Sequence, residues 1–266
     1  MHSMFLVTGA TGGLGKAFAA ECASRGWDLF LTDLSEERLA VLAPALQRTY
    51  GVEVGYLSTD LTNPSSRAAL FASLQKQRLR FRGLINVAGL DHEGFFMDRR
   101  SDEITTIIRL NIESTLLVTH SVLPYRDHSM PFRIINVSSM GAYFAMPIKT
   151  TYAASKRFLL DFSLALRNEL RDENVTVTVL CPAGLPTTPG CIEAIDAQGF
   201  MGQLTTENIG SVARQAVEAA LRGRAIVVPG FLNRALLWAS ALVPSTNVAD
   251  IVGRRWRSAH QRRSPN

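Results

Sequence analysis

Short apolar runs rich in β-branched residues alternate along this chain with longer stretches whose apolar positions recur at helical spacing. The short runs are Phe5–Thr8, Leu29–Thr32, Val52–Leu57, Gly83–Val87, Arg133–Val137, Thr176–Leu180 and Ala225–Val228. Helical stretches lie between them, near residues 13–25, 35–50, 64–78, 101–122, 152–171 and 205–222. This strand–helix alternation predicts an α/β fold: a parallel sheet covered by helices on both faces. No Pro/Gly/Ser-rich linker divides the chain. The pattern gives one body over residues 1–230, with a loop-rich insert around 185–204, and a C-terminal part over 231–266.

Composition changes this picture little. The 266 residues are 47% hydrophobic and 19% charged, ordinary values for a soluble enzyme. The apolar Met4-Phe5-Leu6-Val7 is too short for a signal core and reads as the first strand. Cys22, Cys181 and Cys191 show no metal-ligand spacing, so no metal is expected. They fit free thiols in a reducing cytosol, and the expected location is cytoplasmic. Asp91-His92-Glu93 reads as a solvated loop, since neighbouring residues of an extended segment point different ways.

Charge is more informative once located. The net charge of +5 resides in residues 251–266, where Arg254, Arg255, Arg257, Arg262 and Arg263 meet no acid. The neutral body argues against nucleic acid as a partner. Phe231–Val243 is an apolar run interrupted by Arg234 and too short to span a bilayer. It reads as a helix packed over the substrate side or a second subunit, with contact to an anionic membrane surface as the alternative.

Two local patterns carry chemistry. Thr8-Gly9-Ala10-Thr11-Gly12-Gly13-Leu14-Gly15 joins the first strand to the first helix. Glycines there let the backbone approach a pyrophosphate at the helix N-terminus. Asp33 follows the second strand, where a carboxylate accepts hydrogen bonds from the adenosine ribose and repels a 2′-phosphate. No base follows it (Leu34, Ser35), which favours NAD(H), with NADP(H) as the alternative. The second pattern is Tyr152-Ala153-Ala154-Ser155-Lys156. Positions i and i+4 share a helix face, so a lysine ammonium there favours the tyrosine phenolate. A phenol tuned this way can exchange a proton near neutral pH, as carbonyl–alcohol interconversion requires.

In this order and spacing the motifs resemble the short-chain dehydrogenase/reductase family, over about residues 4–230, in its single-domain Rossmann-like form. The resemblance implies a doubly wound sheet and a nicotinamide dinucleotide held by Gly9, Thr11, Gly12, Gly13, Leu14, Gly15 and Asp33. It adds Asp60 and Leu61 beside the adenine, and Asn86, Ala88 and Gly89 at the end of the fourth strand. Read on its own, Asn86 is a brace of the central sheet. Pro182-Ala183-Gly184-Leu185-Pro186-Thr187 stands where the family has a Pro-Gly-x-x-x-Thr segment, so Pro182 and Thr187 are expected at the nicotinamide carboxamide. Ala183 departs from the family's glycine and puts that loop's backbone path in question.

By the same resemblance Asn111, Ser139, Tyr152 and Lys156 form a catalytic tetrad. Ser139 would hydrogen-bond the substrate carbonyl, and Tyr152 would pass the proton. Lys156 would hold the nicotinamide ribose. Asn111, at a local helix distortion, would keep a water linking Lys156 to solvent. Ser138 competes with Ser139, which is preferred for its spacing from the tyrosine. Phe95-Phe96-Met97 and Tyr143-Phe144-Ala145-Met146 read as core, although the second cluster lies between Ser139 and Tyr152 and so borders the substrate side. Apolar loops at Met140–Met146 and Ile192–Met201 favour an apolar alcohol or ketone, steroid-like or acyl-chain. The family habit of dimers and tetramers implies a homo-oligomer. The competing readings are a membrane-surface ketone reductase of lipid intermediates and a non-catalytic NAD(H)-binding redox sensor.

Overall fold

The computed structural model describes residues 3–197, 199–240, 247 and 249–254. Strands β1 (Met4–Thr8), β2 (Leu29–Asp33), β3 (Val54–Ser58), β4 (Phe81–Asn86), β5 (Phe132–Val137), β6 (Val175–Leu180) and β7 (Ile226–Val227) make one sheet in the order β3-β2-β1-β4-β5-β6-β7. Every neighbouring pair is parallel. The chain winds outward one way from β1 and then the other way from β4. The reversal leaves a crevice at the carboxyl ends of β1 and β4, the position where doubly wound sheets take ligands.

Successive strand side chains point to opposite faces, and the two faces build separate cores. Phe5, Val7, Leu29 and Leu31 pack with helices α1 (Gly13–Ser24) and α2 (Glu36–Tyr50), and with a later helix over Ile209–Leu221. Met4, Leu6, Phe30 and Leu84 pack against the opposite layer, which includes Leu70 and Leu74 of α3 (Pro64–Lys76). Burial on both faces explains why the strands read as continuous apolar runs.

The predicted helix over 101–122 is interrupted. It consists of α4 (Ser101–Ile107), a π-helical turn over Ile108–Glu113, and α5 (Ser114–Val122). After α6 (Thr150–Glu169), the segment read as a loop-rich insert holds two short helices, α7 (Pro189–Ala197) and α8 (Phe200–Thr205). Ile195 anchors α7, buried against Gly184. The helix over Ile209–Leu221 is α9, which starts four residues later than the pattern suggests because the Asn208 side chain caps it by accepting from Ser211 N–H at 3.0 Å.

Helix α10 (Phe231–Ser240) follows the last strand. Asn233 pins it by donating to the carbonyls of Thr205 and Pro229, at 3.1 and 3.0 Å. Its outer face exposes Phe231 and Trp238, each 80% accessible. Among the described residues no helix is long and apolar enough to cross a membrane. Residues 241–243 of the apolar run, and Arg255, Arg257, Arg262 and Arg263, lie outside the described residues.

Candidate active site

The glycine turn is shaped by contacts that leave no room for side chains at Gly9 and Gly15 and little at Gly13. Gly9 takes φ +63°, and a Cβ there would lie 2.8 Å from the Ala88 backbone. A Cβ on Gly15 would stand 2.0 Å from the Gly9 carbonyl oxygen, so the first turn of α1 is seated directly on the loop. Gly13 is overhung by Thr187, 3.0 Å from where its Cβ would be. That contact brings the loop after β6 across the turn after β1. No side chain caps α1, and its first turn holds no acid. Its free N–H groups therefore face the crevice, where an anion would be stabilised.

Asp33 stands at the end of β2, beside this turn. Its carboxylate accepts from Thr11 N–H at 2.8 Å and from Leu34 N–H at 2.7 Å, which fixes its orientation. Asp60, at the next strand end, is committed to a local turn. One of its oxygens accepts from both the N–H and the hydroxyl of Thr62. Leu61 is buried, and its carbonyl accepts from the buried Arg67, which also pairs with Glu113 at 2.6 Å. That link runs from the loop after β3 to the π-helical turn, and the motifs give no hint of it.

Asn86 faces inward. Its side-chain amide donates to Thr119 Oγ1 at 3.0 Å and to Asn136 Oδ1 at 2.8 Å, bracing β4 and β5. Only its backbone is left for a ligand. Thr8 Oγ1 accepts from the N–H groups of Val87 and Ala88, and so ties the ends of β1 and β4 together. A Cβ on Gly89 would lie 3.3 Å from both Asn111 Oδ1 and Lys156 Nζ, which places this residue where the loop after β4 meets α6 and the π-helical turn.

Asn111 is fully buried within the π-helical turn. Its side chain donates to the Leu90 carbonyl (3.0 Å) and Ser155 Oγ (2.9 Å), and accepts from Leu90 N–H (2.8 Å). Its own carbonyl accepts from the Thr115 hydroxyl at 3.0 Å. Such a turn widens the helix and frees carbonyls from their usual partners. The expected distortion therefore stands at Asn111 itself.

The two candidate serines diverge. Ser138 is buried and donates its hydroxyl to the Lys156 carbonyl at 2.7 Å, fastening β5 to α6. Ser139 Oγ accepts from Gly141 N–H at 3.0 Å, which leaves its proton available. It lies within hydrogen-bonding reach of the Tyr152 phenol and favours that group's ionised form. Lys156 is 4% exposed, donates to the Val137 carbonyl at 2.9 Å, and has its ammonium 5.7 Å from the Tyr152 ring centre.

Burial governs the protonation of this pair. Desolvation pulls the Lys156 ammonium down to about 8. Desolvation, joined by the Asp91 carboxylate, pushes the half-buried Tyr152 phenol well above its ordinary range, against the smaller help of Ser139. The sequence reading, in which the lysine lowers the tyrosine, omits this opposing effect of burial.

The loop after β6 accommodates Ala183 without strain. Neither Ala183 nor Gly184 adopts a positive φ, so the position does not need a glycine. The Pro182 carbonyl accepts from Met140 N–H at 2.8 Å, and Thr187 Oγ1 contacts Cys191 Sγ at 3.4 Å.

Two other readings change. Asp91 and Glu93 are not simply solvated, because both face the Lys149 ammonium, with Glu93 at 3.7 Å and Asp91 in direct contact. Among the described residues no group of His, Cys, Asp and Glu is arranged to hold a metal. Phe95, Phe96 and Met97 are exposed, because they lie in a surface 3-10 turn and not beneath a helix.

Taken together, the switch-point crevice and the glycine turn define a doubly wound α/β fold of the dinucleotide-binding type. Residues 3–192 match the short chain dehydrogenase family, and the chain belongs to it. It is 34% identical over 174 residues to a very-long-chain 3-oxoacyl-CoA reductase of Laccaria bicolor, an alignment covering 65% of this chain and 52% of that protein. It is 31% identical over 190 residues to human 17-beta-hydroxysteroid dehydrogenase type 3, covering 70% and 60%. The chain thus spans little more than half the length of these curated relatives. Among solved structures it superposes on a short-chain dehydrogenase from Sphingobium yanoikuyae in complex with NADPH, with TM-score 0.75 and 27% identity over 91% of this chain and 96% of that one.

Proposed function

We propose that this protein interconverts a secondary alcohol and a ketone on an apolar, steroid-like or acyl-chain substrate, with a nicotinamide dinucleotide as redox partner and Tyr152 as general acid and base. The observation that carries the reading is the meeting of Ser139, Tyr152 and Lys156 beside the glycine turn. The turn fits such a cofactor, because Gly9 and Gly15 sit where a Cβ would clash and α1 offers uncapped N–H groups to a pyrophosphate. A bound nicotinamide supplies the hydride donor or acceptor.

The chain's own residues handle the oxygen and its proton. The Ser139 hydroxyl, within reach of the Tyr152 phenol, can donate its proton to a carbonyl oxygen and stabilise the charge that grows there. Tyr152 then delivers its proton to that oxygen in reduction, or removes it in oxidation. Lys156, desolvated and adjacent, steadies the phenolate left behind. Asn111 holds the loop at Leu90 and the Ser155 side chain in register, and its helix distortion is suited to a water between Lys156 and solvent.

Asp33 supports a preference for NAD(H), since its fixed carboxylate opposes a 2′-phosphate. The NADPH in the Sphingobium structure favours the other cofactor for that protein. The apolar substrate class is supported by the names of the two relatives and by the exposed Phe95, Phe96 and Ile192 near the site loops. The outward Phe231 and Trp238 of α10 support a second reading, in which the protein works against a lipid surface or a second subunit.

The test is a screen of steroid and 3-oxoacyl ketones and alcohols with NADH and NADPH, followed by nicotinamide absorbance. Turnover of an apolar ketone or alcohol supports the reading. Binding of either cofactor without turnover of any substrate supports a sensor instead.

A further inference from the structure

Lys149 stands immediately before α6, where a helix N-terminus disfavours a cation. Its side chain is nonetheless only 11% exposed, and two carboxylates of the loop after β4 hold it, Asp91 in direct contact and Glu93 at 3.7 Å. The same loop is fastened to this point by Gly94 N–H donating to the Ile148 carbonyl at 2.8 Å. Ile148 is buried with φ +63°, a conformation that β-branched residues adopt only when their surroundings enforce it. The clasp therefore fixes where the Lys149 ammonium ends. It ends 5.7 Å from the Tyr152 ring centre, the same distance as Lys156.

We propose that Lys149 is a positioning residue for the Tyr152 proton: paired with Asp91, it shields the phenol from that carboxylate and holds a second cation beside the ring. The proposal rests on the reading of Tyr152 as the proton-transfer group. The groups that face this phenol are Lys156 from α6, Lys149 from the residue before it, Asp91 from the loop after β4, the Ser139 hydroxyl from the end of β5, and the Cys191 thiol from α7. Glu93 stands behind Lys149. Of these, Asp91 opposes the phenolate most strongly and Cys191 less so, and Lys149 is the cation in contact with Asp91. Removing the ammonium leaves the carboxylate uncompensated, so the phenol holds its proton more tightly.

The experiment compares Lys149→Met, Lys149→Arg, Asp91→Asn and the double variant Lys149→Met/Asp91→Asn with the wild type. Two quantities are read: the pH profile of kcat/KM for alcohol oxidation, and the phenolate fraction of Tyr152 at a fixed alkaline pH. The second comes from the tyrosine ¹³Cζ resonance that Tyr152→Phe removes. We expect Lys149→Met to move the acidic limb up by about one pH unit and to lower the phenolate fraction. Asp91→Asn should do the reverse, the double variant should lie near the wild type, and Lys149→Arg should preserve both readouts. Loss of kcat or Tm with an unmoved limb and an unchanged phenolate fraction would overturn the proposal, as would shifts of the same sign in Lys149→Met and Asp91→Asn. Should no alcohol be oxidised, the resonance decides alone, so failure of the functional reading is separable from failure of this one.

Discussion

Lys156 and Tyr152 lie one helical turn apart with ammonium and ring 5.7 Å from each other, and burial drives both toward their neutral forms. The pair is thus set against ionisation by its surroundings and toward ionisation by its own proximity. Such opposition is common where a proton has to move near neutral pH.

Lys156 contributes a definite pH dependence to stability. Its pKa falls from the ordinary 10.5 to about 8 on folding, so the unfolded chain binds the proton more tightly. The penalty is complete below pH 8 and disappears as pH rises to the unfolded value. Between those limits the wild type should gain up to about 3 kcal/mol relative to Lys156→Met, whose buried methionine does not titrate. Urea melts of both proteins at neutral and alkaline pH check this. A gap that stays constant with pH contradicts the burial argument.

The glycine turn offers a sharp contrast between two neighbouring glycines. A Cβ on Gly15 meets the Gly9 carbonyl at 2.0 Å, whereas one on Gly12 lies 3.4 Å from the same atom in ordinary contact. Gly15→Ala should therefore cost roughly 3 kcal/mol and abolish cofactor binding. Gly12→Ala should change stability by less than about 1 kcal/mol. Thermal melts and cofactor fluorescence titrations separate the two. Equal tolerance at both positions would mean the turn is not built as described.

Asp33→Ala removes the carboxylate held by Thr11 and Leu34 N–H groups. The ratio of kcat/KM for NADPH over NADH should rise about tenfold or more, about 1.4 kcal/mol in differential binding. A wild type that already prefers NADPH, or a ratio unchanged by the substitution, contradicts the proposed cofactor preference.

Much of this molecule is readable in its sequence, for physical reasons. The strands announce themselves because burial on both faces demands continuous apolar runs, and the glycine turn because Gly9 and Gly15 leave no room for a Cβ. The π-helical turn is readable only indirectly, through a poor helix former, Asn111, placed mid-helix. The short helices α7 and α8 escape the reading because their apolar residues look like those of a substrate loop. Phe95, Phe96 and Met97 are misread because composition does not reveal on which side of a surface turn an aromatic points. The Lys149–Asp91 contact and the Arg67–Glu113 link join residues 58 and 46 positions apart, and no periodicity encodes such meetings.

The central claim is that Tyr152 moves the proton, and Tyr152→Phe tests it most directly. The substitution keeps the ring near Lys156 and Lys149 and removes only the hydroxyl that Ser139 contacts. Measured on whichever ketone or alcohol the wild type turns over best, kcat should fall by about a thousandfold while the cofactor dissociation constant stays within about twofold. Turnover at the wild-type rate would contradict the account.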